Sequence, residues 1–433
     1  MTRLEIDWPD AGAERARAAC GRLEQAGVVL RAIPTSERLA AITGVLEDWT
    51  RADSPWRREL AATLVDATPF SAGTIEEGLT SALRAWQPKA FDACARRELA
   101  IASDRARLAP FDWTTVLAGG AIPMPTLLTA LLPLVLGSPV LLRETRKDPV
   151  TAGLIERSIA SRDERMAQAF APFVCDPSDQ TALEVILQAP CVVATGSDET
   201  MQSIARRLGS GQRFVAYGHR FSIAVLGPAL ATDDQALSQA TTGLALDIAR
   251  WDQLGCLSPV VVYLVGLEPS ARRRIARALD AALARLAESM PRGKLPDAIR
   301  VQHANERAEA RMRAASGETV LLEGDGHTLV LEEDARPRPA PLHRFLRLHP
   351  VDTTDGLLEA LRPFDGQLSS VALLGFDDRT DPGGLPLAER LTQIGVSRVA
   401  SPGTLQTPPI DWPRDGLPLF TPMARFAESI SCP

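Results

Sequence analysis

Apolar positions in the first 110 residues follow the three- and four-residue spacing of helices. Residues 36–49 and 56–65 both show this spacing, and a polar stretch separates the two runs. Thr74, with Glu77 three residues later, is typical of a capping box and predicts a helix over residues 74–86. This part of the chain is therefore predicted to be helical, and its pattern indicates no chemistry.

From Trp113 onward the pattern changes to short β-rich apolar runs that alternate with helical stretches. The predicted strands are 115–118, 139–143, 191–194, 213–216 and 222–226. The predicted helices between them are 126–136, 149–161 and 198–208. Such alternation is typical of a parallel sheet covered by helices on both faces, so an α/β, doubly wound nucleotide-binding domain is predicted.

A second α/β pattern follows Gly227 and Pro228. Its predicted elements are helix 234–251, strand 260–265, helix 270–289, strands 319–322 and 328–331, helix 355–361, strand 370–375 and helix 386–394. The two strands on either side of a Gly-Asp-Gly turn form a predicted hairpin. The predicted domains are residues 1–226, with N-terminal helices and the dinucleotide-binding domain, residues 227–400, an α/β catalytic domain, and residues 401–433, a Pro-rich C-terminal segment.

Composition and charge narrow the classes of function. Among 433 residues, 47 Lys and Arg face 54 Asp and Glu, a net charge of -7. No continuous basic face is therefore expected, and nucleic-acid binding is not predicted. The six cysteines are far apart and lack metal-ligand spacing with the five histidines, so no metal site and no disulfide framework are predicted. The N-terminus carries charges throughout and lacks an apolar signal core, which favours a cytoplasmic location.

One uncharged stretch raises the question of a membrane span. Residues 114–142 contain no charged side chain and are rich in Leu, Ala and Val. Prolines and glycines interrupt this stretch at intervals that fit a strand, a turn, a buried helix and a second strand. We therefore expect a buried part of the nucleotide-binding domain and no membrane span.

Two segments are candidates for binding an anionic cofactor. Thr195, Gly196 and Ser197 join a predicted strand to a predicted helix, and a glycine there lets a phosphate approach the positive end of the helix dipole. Plain helix capping by Ser197 is the alternative. Arg143, Arg146 and Lys147 cluster at the end of another predicted strand, at the edge where open α/β sheets bind ligands, and together they are candidates to bind an anionic group. A solvated charged turn is the alternative there.

Two further residues are candidates for catalysis. Cys256 follows a glycine in a predicted loop between a helix and a strand. Such a loop can expose a thiol, which can attack an acyl carbonyl once it is partly ionised. Inert packing of a lone cysteine is the alternative. His219 lies between two predicted strands, where it is a candidate base or anion ligand; a structural histidine is the alternative.

Taken in order, these segments resemble the aldehyde dehydrogenase superfamily and, within it, the LuxC-type acyl-CoA reductases. The resemblance extends over residues 110–416. Trp-Asp-Gln-Leu-Gly-Cys-Leu-Ser-Pro, residues 251–259, is similar to the Asp-Gln-x-Gly-Cys-Leu-Ser-Pro of these reductases and is the most specific match. The other matching segments are the strand end 139–143, the Thr-Gly-Ser turn in 194–200, Tyr-Gly-His-Arg-Phe-Ser in 217–222, and two C-terminal segments, 397–402 and 406–416.

The resemblance implies an aldehyde dehydrogenase-like fold and a reaction. It implies NADPH-dependent reduction of an acyl thioester, carried by coenzyme A or an acyl carrier protein, to an aldehyde through a thioacyl intermediate on Cys256. Arg143 stands where the superfamily has a ribose-binding lysine, and Arg146 stands where NAD-preferring relatives often have an acidic residue, which favours the 2′-phosphate of NADPH. Residues 195–197 match the turn under the pyrophosphate, and His219 is implied to assist thiol ionisation or to bind an anion. Homo-oligomers are expected by analogy.

Two departures from the wider superfamily bear on activity. Tyr-Gly-His-Arg, residues 217–220, stands where ordinary aldehyde dehydrogenases have the glutamate that activates the deacylating water, so acid formation is disfavoured. Ala121 stands where the superfamily has an oxyanion-binding asparagine, a donor of a kind worth about 3 kcal/mol. A catalytically silent scaffold that binds an acylated partner is therefore the alternative to the reductase.

Overall fold

The computed structural model describes residues 12–100, 106–145, 148, 150–176, 178–317, 319–376 and 385–428. The chain divides into two compact units. Unit 1 comprises Met1–Thr68, Ala82–His219 and Pro409–Pro433, and unit 2 comprises Pro69–Ser81 and Arg220–Pro408. Arg146 lies outside the described residues, so its predicted contact with the cofactor stays a prediction.

The described helices and strands have the following bounds. The α-helices are α1 Gly12–Ala32, α2 Thr35–Thr50, α3 Pro55–Ala67, α4 Ala72–Ala85, α5 Pro88–Leu99, α6 Pro123–Leu136, α7 Thr151–Ala160, α8 Glu164–Ala167, α9 Gln180–Ile186, α10 Asp198–Ala205, α11 Asp234–Ala249, α12 Pro269–Ser289, α13 Asp297–Ser316, α14 Thr354–Leu361 and α15 Leu387–Gln393. The strands are β1 Ala106–Ala109, β2 Thr114–Leu117, β3 Val140–Arg143, β4 Phe170–Phe173, β5 Cys191–Thr195, β6 Arg213–Tyr217, β7 Phe221–Leu226, β8 Pro259–Val265, β9 Val320–Gly324, β10 His327–Leu331, β11 Phe345–Val351, β12 Leu368–Leu374, β13 Arg398–Ala400 and β14 Arg425–Glu428.

Unit 1 contains a five-stranded parallel sheet in the order β4-β3-β2-β5-β6. Alternate residues of β5, Val192 and Ala194, pack with Leu23 of α1 and Ile204 of α10 on one face. Helix α6 packs against β2 and β3. The apolar runs of these strands are therefore buried on both faces, as expected for a doubly wound sheet. A separate antiparallel pair joins β1 to β14.

Unit 2 contains a seven-stranded sheet in the order β13-β12-β7-β8-β11-β10-β9, in which β9 runs antiparallel to β10. The two faces have separate apolar cores, one with α11 and α12 and the other with α14 and α15. The predicted hairpin is confirmed: Gly324 pairs with His327 across a two-residue turn, and Gly326 has φ +85°. The aldehyde dehydrogenase-like α/β prediction is confirmed by the comparisons reported below.

The placement of residues 222–226 in the nucleotide-binding sheet is wrong. Strand β7 lies between β12 and β8 in the sheet of unit 2. Its alternate residues pack into both cores of that unit, with Ala224 in one and Ile223 in the other. A strand that is apolar on both faces must be buried on both faces. Its own sequence does not show which of the two sheets it joins.

The predicted capping box at Thr74 is also wrong. Helix α4 begins at Ala72, and the Ser71 hydroxyl accepts a hydrogen bond from the Thr74 amide at 3.2 Å. Glu77 instead accepts hydrogen bonds from the Arg250 guanidinium at 2.8 and 3.1 Å. Ser71 caps the helix as well as Thr74 would, because serine and threonine are both good N-cap residues. Glu77 is unavailable for a capping box because it pairs with Arg250, which is distant in sequence.

Candidate active site

The strand order of unit 1 reverses between β2 and β5, and the loops that follow these two strands meet. A Cβ built on Gly119, after β2, would lie 2.2 Å from the carbonyl oxygen of Thr195, the last residue of β5. In open α/β sheets, ligands bind outside the carboxyl ends of the strands at such a reversal. Thr195, Gly196 and Ser197 therefore lie at the preferred ligand position of this sheet.

The Thr195 turn serves the protein's own structure as well. Ser197 is the N-cap of α10, and its Oγ accepts a hydrogen bond from the Thr200 amide at 3.3 Å. The Gly196 amide donates to the carbonyl of Tyr217 at 3.2 Å. The capping alternative is thus observed for Ser197, and the turn offers an anion fewer amide donors than the sequence suggests.

Gly196 still leaves room for a ligand. A Cβ at this position would meet its nearest neighbours, side-chain atoms of Thr200 and Met201, at 3.4 Å, which is ordinary contact, and Gly196 does not have a positive φ. The protein's own packing does not demand a glycine here, in contrast to Gly119. This open position fits the approach of a phosphate group.

Arg143 ends β3, two strands away from β5 in the sheet. Its Nε is buried and has no hydrogen-bond partner in the described part of the chain. An unpaired buried donor costs free energy, so an anionic ligand would satisfy this guanidinium. The arrangement fits the predicted contact with the adenosine ribose or its phosphate.

Sequence reasoning missed two buried carboxyl groups directly after Arg143. Burial, reinforced by the nearby Asp148, raises the pKa of Glu144 to about 8. Burial also raises the pKa of Asp148, whose Oδ1 accepts hydrogen bonds from the amide and hydroxyl of Thr151 at 3.2 and 2.8 Å. The carboxyl of Asp148 thus caps the N-terminus of α7.

His219 lies two residues after the end of β6, an edge strand of the unit 1 sheet. Its amide donates to the Asp198 carboxylate at 2.8 Å, which fixes the backbone of residues 218–219 against the start of α10. A hydrogen bond from the Ser197 side chain is the largest factor that lowers the pKa of Glu199. The side chain of His219 is exposed. Its predicted role in thiol ionisation stays a prediction.

Cys256 differs from the other described cysteines in its exposure to solvent. Cys20, Cys94, Cys175 and Cys191 are buried. Burial is the largest factor that raises the pKa of Cys20 and Cys94 to about 11 and of Cys191 to about 12, so these thiols stay protonated at neutral pH. Among the described residues, Cys256 is therefore the solvent-exposed thiol.

A buried ion pair holds the loop that precedes Cys256. Trp251, Asp252 and Gln253 have φ of +52°, +49° and +66°, the left-handed region that non-glycine residues rarely occupy. The Arg344 Nη2 lies 2.6 Å from the Asp252 carboxylate. Gln253 accepts a hydrogen bond from the Arg344 amide at 2.9 Å and donates to the Pro259 carbonyl at 3.0 Å. These contacts keep an otherwise unfavourable backbone in place.

A second set of contacts comes from residues 403–406. Gln406 donates to the carbonyls of Asp247 and Arg250 at 2.8 and 2.9 Å and to Ser258 Oγ at 2.5 Å. The Asp247 carboxylate accepts the amides of Gly403 and Leu405 at 2.6 and 3.1 Å, and burial raises its pKa to about 7. The loop around Cys256 is thus supported by polar groups from Arg344 and from residues 403–406.

Ser222, at the start of β7, supplies one more contact. Its hydroxyl donates to the carbonyl of Cys256 at 2.8 Å. Residues 251–259 and 222 were both singled out by sequence, whereas Asp247, Arg344 and Gln406 were not.

A model of the LuxC family of acyl-CoA reductases matches residues 68–426. The chain belongs to the LuxC acyl-CoA reductase family. It is therefore an enzyme that reduces an acyl group to an aldehyde. The matched range includes the Cys256 loop, the Thr195 turn and residues 403–406.

Solved structures place the LuxC-family chain in the aldehyde dehydrogenase fold. Aldehyde dehydrogenase 21 from Physcomitrella patens is 13% identical, with a TM-score of 0.74 over 97% of this chain and 91% of that chain. The Delta-pyrroline-5-carboxylate dehydrogenase from Mycobacterium tuberculosis is 14% identical, with a TM-score of 0.71 over 96% and 82%. The glyceraldehyde-3-phosphate dehydrogenase GapN from Methanocaldococcus jannaschii, complexed with NADP, is 12% identical, with a TM-score of 0.68 over 97% and 95%.

A search of curated proteins finds no match to this LuxC-family chain. Within the described ranges, no group of three or more His, Cys, Asp or Glu side chains is arranged to hold a metal ion. Among the helices that the structure describes, none combines the length and apolar character needed to cross a bilayer.

Proposed function

We propose that this LuxC-family reductase uses Cys256 as its nucleophile. The thiolate Sγ attacks the carbonyl carbon of an acyl thioester and forms a new carbon–sulfur bond. The bond to the carrier's sulfur then breaks, and the carrier leaves as a thiolate. The exposure of Cys256, on a loop fixed by Arg344 and Asp252, is the observation that carries this proposal.

The second half of the reaction releases the aldehyde. A dinucleotide held by Arg143 and the Thr195–Ser197 turn would supply the hydride that reduces the thioacyl carbon. The Cys256 carbon–sulfur bond then breaks, the aldehyde leaves, and the Sγ thiolate is regenerated. Backbone amides around Cys256 take the place of the missing asparagine at Ala121 as oxyanion donors in this proposal. Hydrolysis to a free acid is disfavoured because no glutamate stands in residues 217–220 to activate a water.

We propose NADPH as the reductant. The buried, unpaired Nε of Arg143 supports a phosphorylated ribose at the end of β3, and Arg146 adds a second cation three residues on. The open position at Gly196 supports the pyrophosphate nearby.

Coenzyme A or an acyl carrier protein is the proposed carrier of the acyl group. Exchange between two thioesters is nearly isoenergetic, so the chemistry of the first step does not distinguish the two carriers. A panel of acyl-CoA and acyl-carrier substrates, compared by kcat/KM at a fixed NADPH concentration, separates them.

Single-cysteine variants test the nucleophile. Aldehyde formation and NADPH oxidation are measured for Cys256→Ala and for Cys175→Ala, which removes a buried thiol of unit 1. We expect Cys256→Ala to abolish both signals and Cys175→Ala to keep them. Aldehyde formation by Cys256→Ala at the rate of the unsubstituted enzyme would reject the proposal.

A further inference from the structure

The C-terminal segment 409–428 is firmly attached to unit 1. The Glu98 carboxylate, on α5, is buried and accepts the amides of Leu419 and Phe420 at 2.8 Å and of Thr421 at 3.1 Å. The end of the segment, β14, pairs with β1. A buried carboxylate that accepts three amides fixes the backbone tightly, so the residues just before it have defined positions.

Arg414, in this segment, lies over an aromatic ring of the nucleotide-binding sheet. Its guanidinium carbon is 4.0 Å from the ring centroid of Tyr217. A tight turn presents it: the Leu417 amide donates to the Arg414 carbonyl at 3.0 Å, and Asp415 has φ +53°. A guanidinium stacked on a ring keeps its N–H donors in its own plane, directed past the edge of the ring.

Tyr217 places this cation next to the candidate pyrophosphate turn. It is the last residue of β6 and pairs in register with Thr195, so both side chains leave the sheet on the same face. Its carbonyl accepts the amide of Gly196. Arg414 therefore lies at the carboxyl edge of the sheet, on the far side of the strand-order reversal from Arg143.

Arg414 forms no ion pair with the carboxylates near it. Asp415 and Glu98 act electrostatically on Tyr217, as Arg414 does, but no carboxylate of the described ranges lies within 4.0 Å of the Arg414 guanidinium, which is stacked on the Tyr217 ring. The first turn of α10 carries Asp198 and Glu199, which oppose an anion at the Thr195 turn. The Gly196 amide is already engaged. An anion bound at this turn thus requires a cation from another segment, and Arg414 is held close by.

We propose that Arg414 binds a phosphate group of a ligand seated at the Thr195–Ser197 turn. The pyrophosphate of the dinucleotide and the phosphates of coenzyme A or a phosphopantetheine carrier share this chemistry. The inference rests on the proposed function for the identity of these ligands. It adds a phosphate contact from a segment more than 190 residues away in sequence from the turn that it serves.

Binding measurements on the full chain test the role of Arg414. Dissociation constants for NADPH and for free coenzyme A are measured by titration calorimetry for the unsubstituted protein, Arg414→Gln and Arg414→Lys. Arg425→Gln is the matched control, because Arg425 is stacked on Phe111 at 4.8 Å in the same segment. Thermal unfolding of each variant confirms that the fold is retained.

We expect Arg414→Gln to weaken binding of the contacted ligand about tenfold or more, the usual size of a lost charge-assisted hydrogen bond. Arg414→Lys should recover part of the loss, since it keeps the charge but not the planar fork. Weaker NADPH binding alone identifies the dinucleotide, and weaker coenzyme A binding alone identifies the carrier.

Unchanged affinity of Arg414→Gln for both ligands overturns the proposal, as does an equal loss in Arg425→Gln or an unsubstituted protein that binds neither ligand. Failure of the proposed nucleophile is a separate result, because these titrations require no acyl transfer. An enzyme that is not acylated at Cys256 but binds NADPH through Arg414 rejects the mechanism and retains this site.

Discussion

Arg344 and Asp252 form a buried ion pair that joins two left-handed backbone segments. Leu342, His343 and Arg344 have φ of +58°, +53° and +66°, and residues 251–253 have similar values. The Arg344 guanidinium also donates to the carbonyl of Met290 at 2.8 Å. Arg344 thus fixes the loop that presents Cys256, although it lies 88 residues from Cys256 along the chain.

Arg344→Met should destabilise the enzyme strongly. The substitution leaves the Asp252 carboxylate buried without its cation, a loss of about 3–5 kcal/mol in the free energy of unfolding. Urea denaturation measures the change. Arg311→Met is the control, since its pair with Glu323 lies at the surface and such pairs contribute about 0–1 kcal/mol. Similar losses for the two variants would contradict the assigned role of Arg344.

The same substitution should change the reactivity of the Cys256 thiol. A loosened loop no longer holds Cys256 in one geometry, so the rate of acyl transfer should fall more than the rate of modification by a small thiol reagent. Both rates are measured below the unfolding temperature of the variant. Equal changes in the two rates would show that the pair affects accessibility and not positioning.

Two glycine substitutions should distinguish a glycine that leaves space for a ligand from a glycine that the protein's own packing requires. Gly196→Ala places a Cβ at ordinary contact distance, so the melting temperature should change little while the dissociation constant for NADPH rises. Gly119→Ala places a Cβ 2.2 Å from the Thr195 carbonyl, so it should destabilise unit 1 by about 1–3 kcal/mol. Calorimetric melting and NADPH titration check both. Unchanged NADPH affinity in Gly196→Ala would remove the turn from the cofactor site.

Glu144 should make stability fall as pH rises. Its folded-state pKa, about 8, lies above the ordinary 4.5 because of burial and then of Asp148. The folded protein therefore binds the additional proton between these values, and the free energy of unfolding decreases as pH rises through that window.

Glu144→Gln, which stays neutral, should remove this decrease. Its stability relative to the unsubstituted enzyme should rise steadily from about pH 5 to about pH 8.5. Urea midpoints across this range measure the trend. A difference between the two proteins that does not vary with pH would show that the carboxyl of Glu144 is ionised throughout.

Local sequence pattern predicted most of the parallel strands of unit 1 because they are short apolar runs between helices. It missed β4, where Pro172 interrupts the run and is tolerated because the strand lies at the sheet edge. It missed β11, whose buried Arg347 looks polar in sequence but pairs with Glu332 at 2.5 Å. It also missed α13, in which only His303 and Ala310 are buried, so no apolar stripe exists.

The sequence pointed to residues of the candidate site only where a reactive side chain lies beside turn-forming residues. Cys256 and the Thr195 turn are recognisable because a thiol beside a glycine and a capped helix start have local signatures. Arg344, Asp247 and Gln406 act through contacts between segments distant in sequence. The sequence does not reveal that an arginine or a glutamine has a positive φ, because the surrounding buried groups impose this backbone conformation.

Peptide mapping of the acylated enzyme tests the central claim most directly. The full chain is incubated with a long-chain acyl-CoA in the absence of NADPH, digested and examined by mass spectrometry, and a parallel sample receives NADPH before digestion. We expect one acyl group per chain, on Cys256, and its discharge as aldehyde when NADPH is added. An acyl group on another residue, or none on an enzyme that still produces aldehyde, would contradict the account.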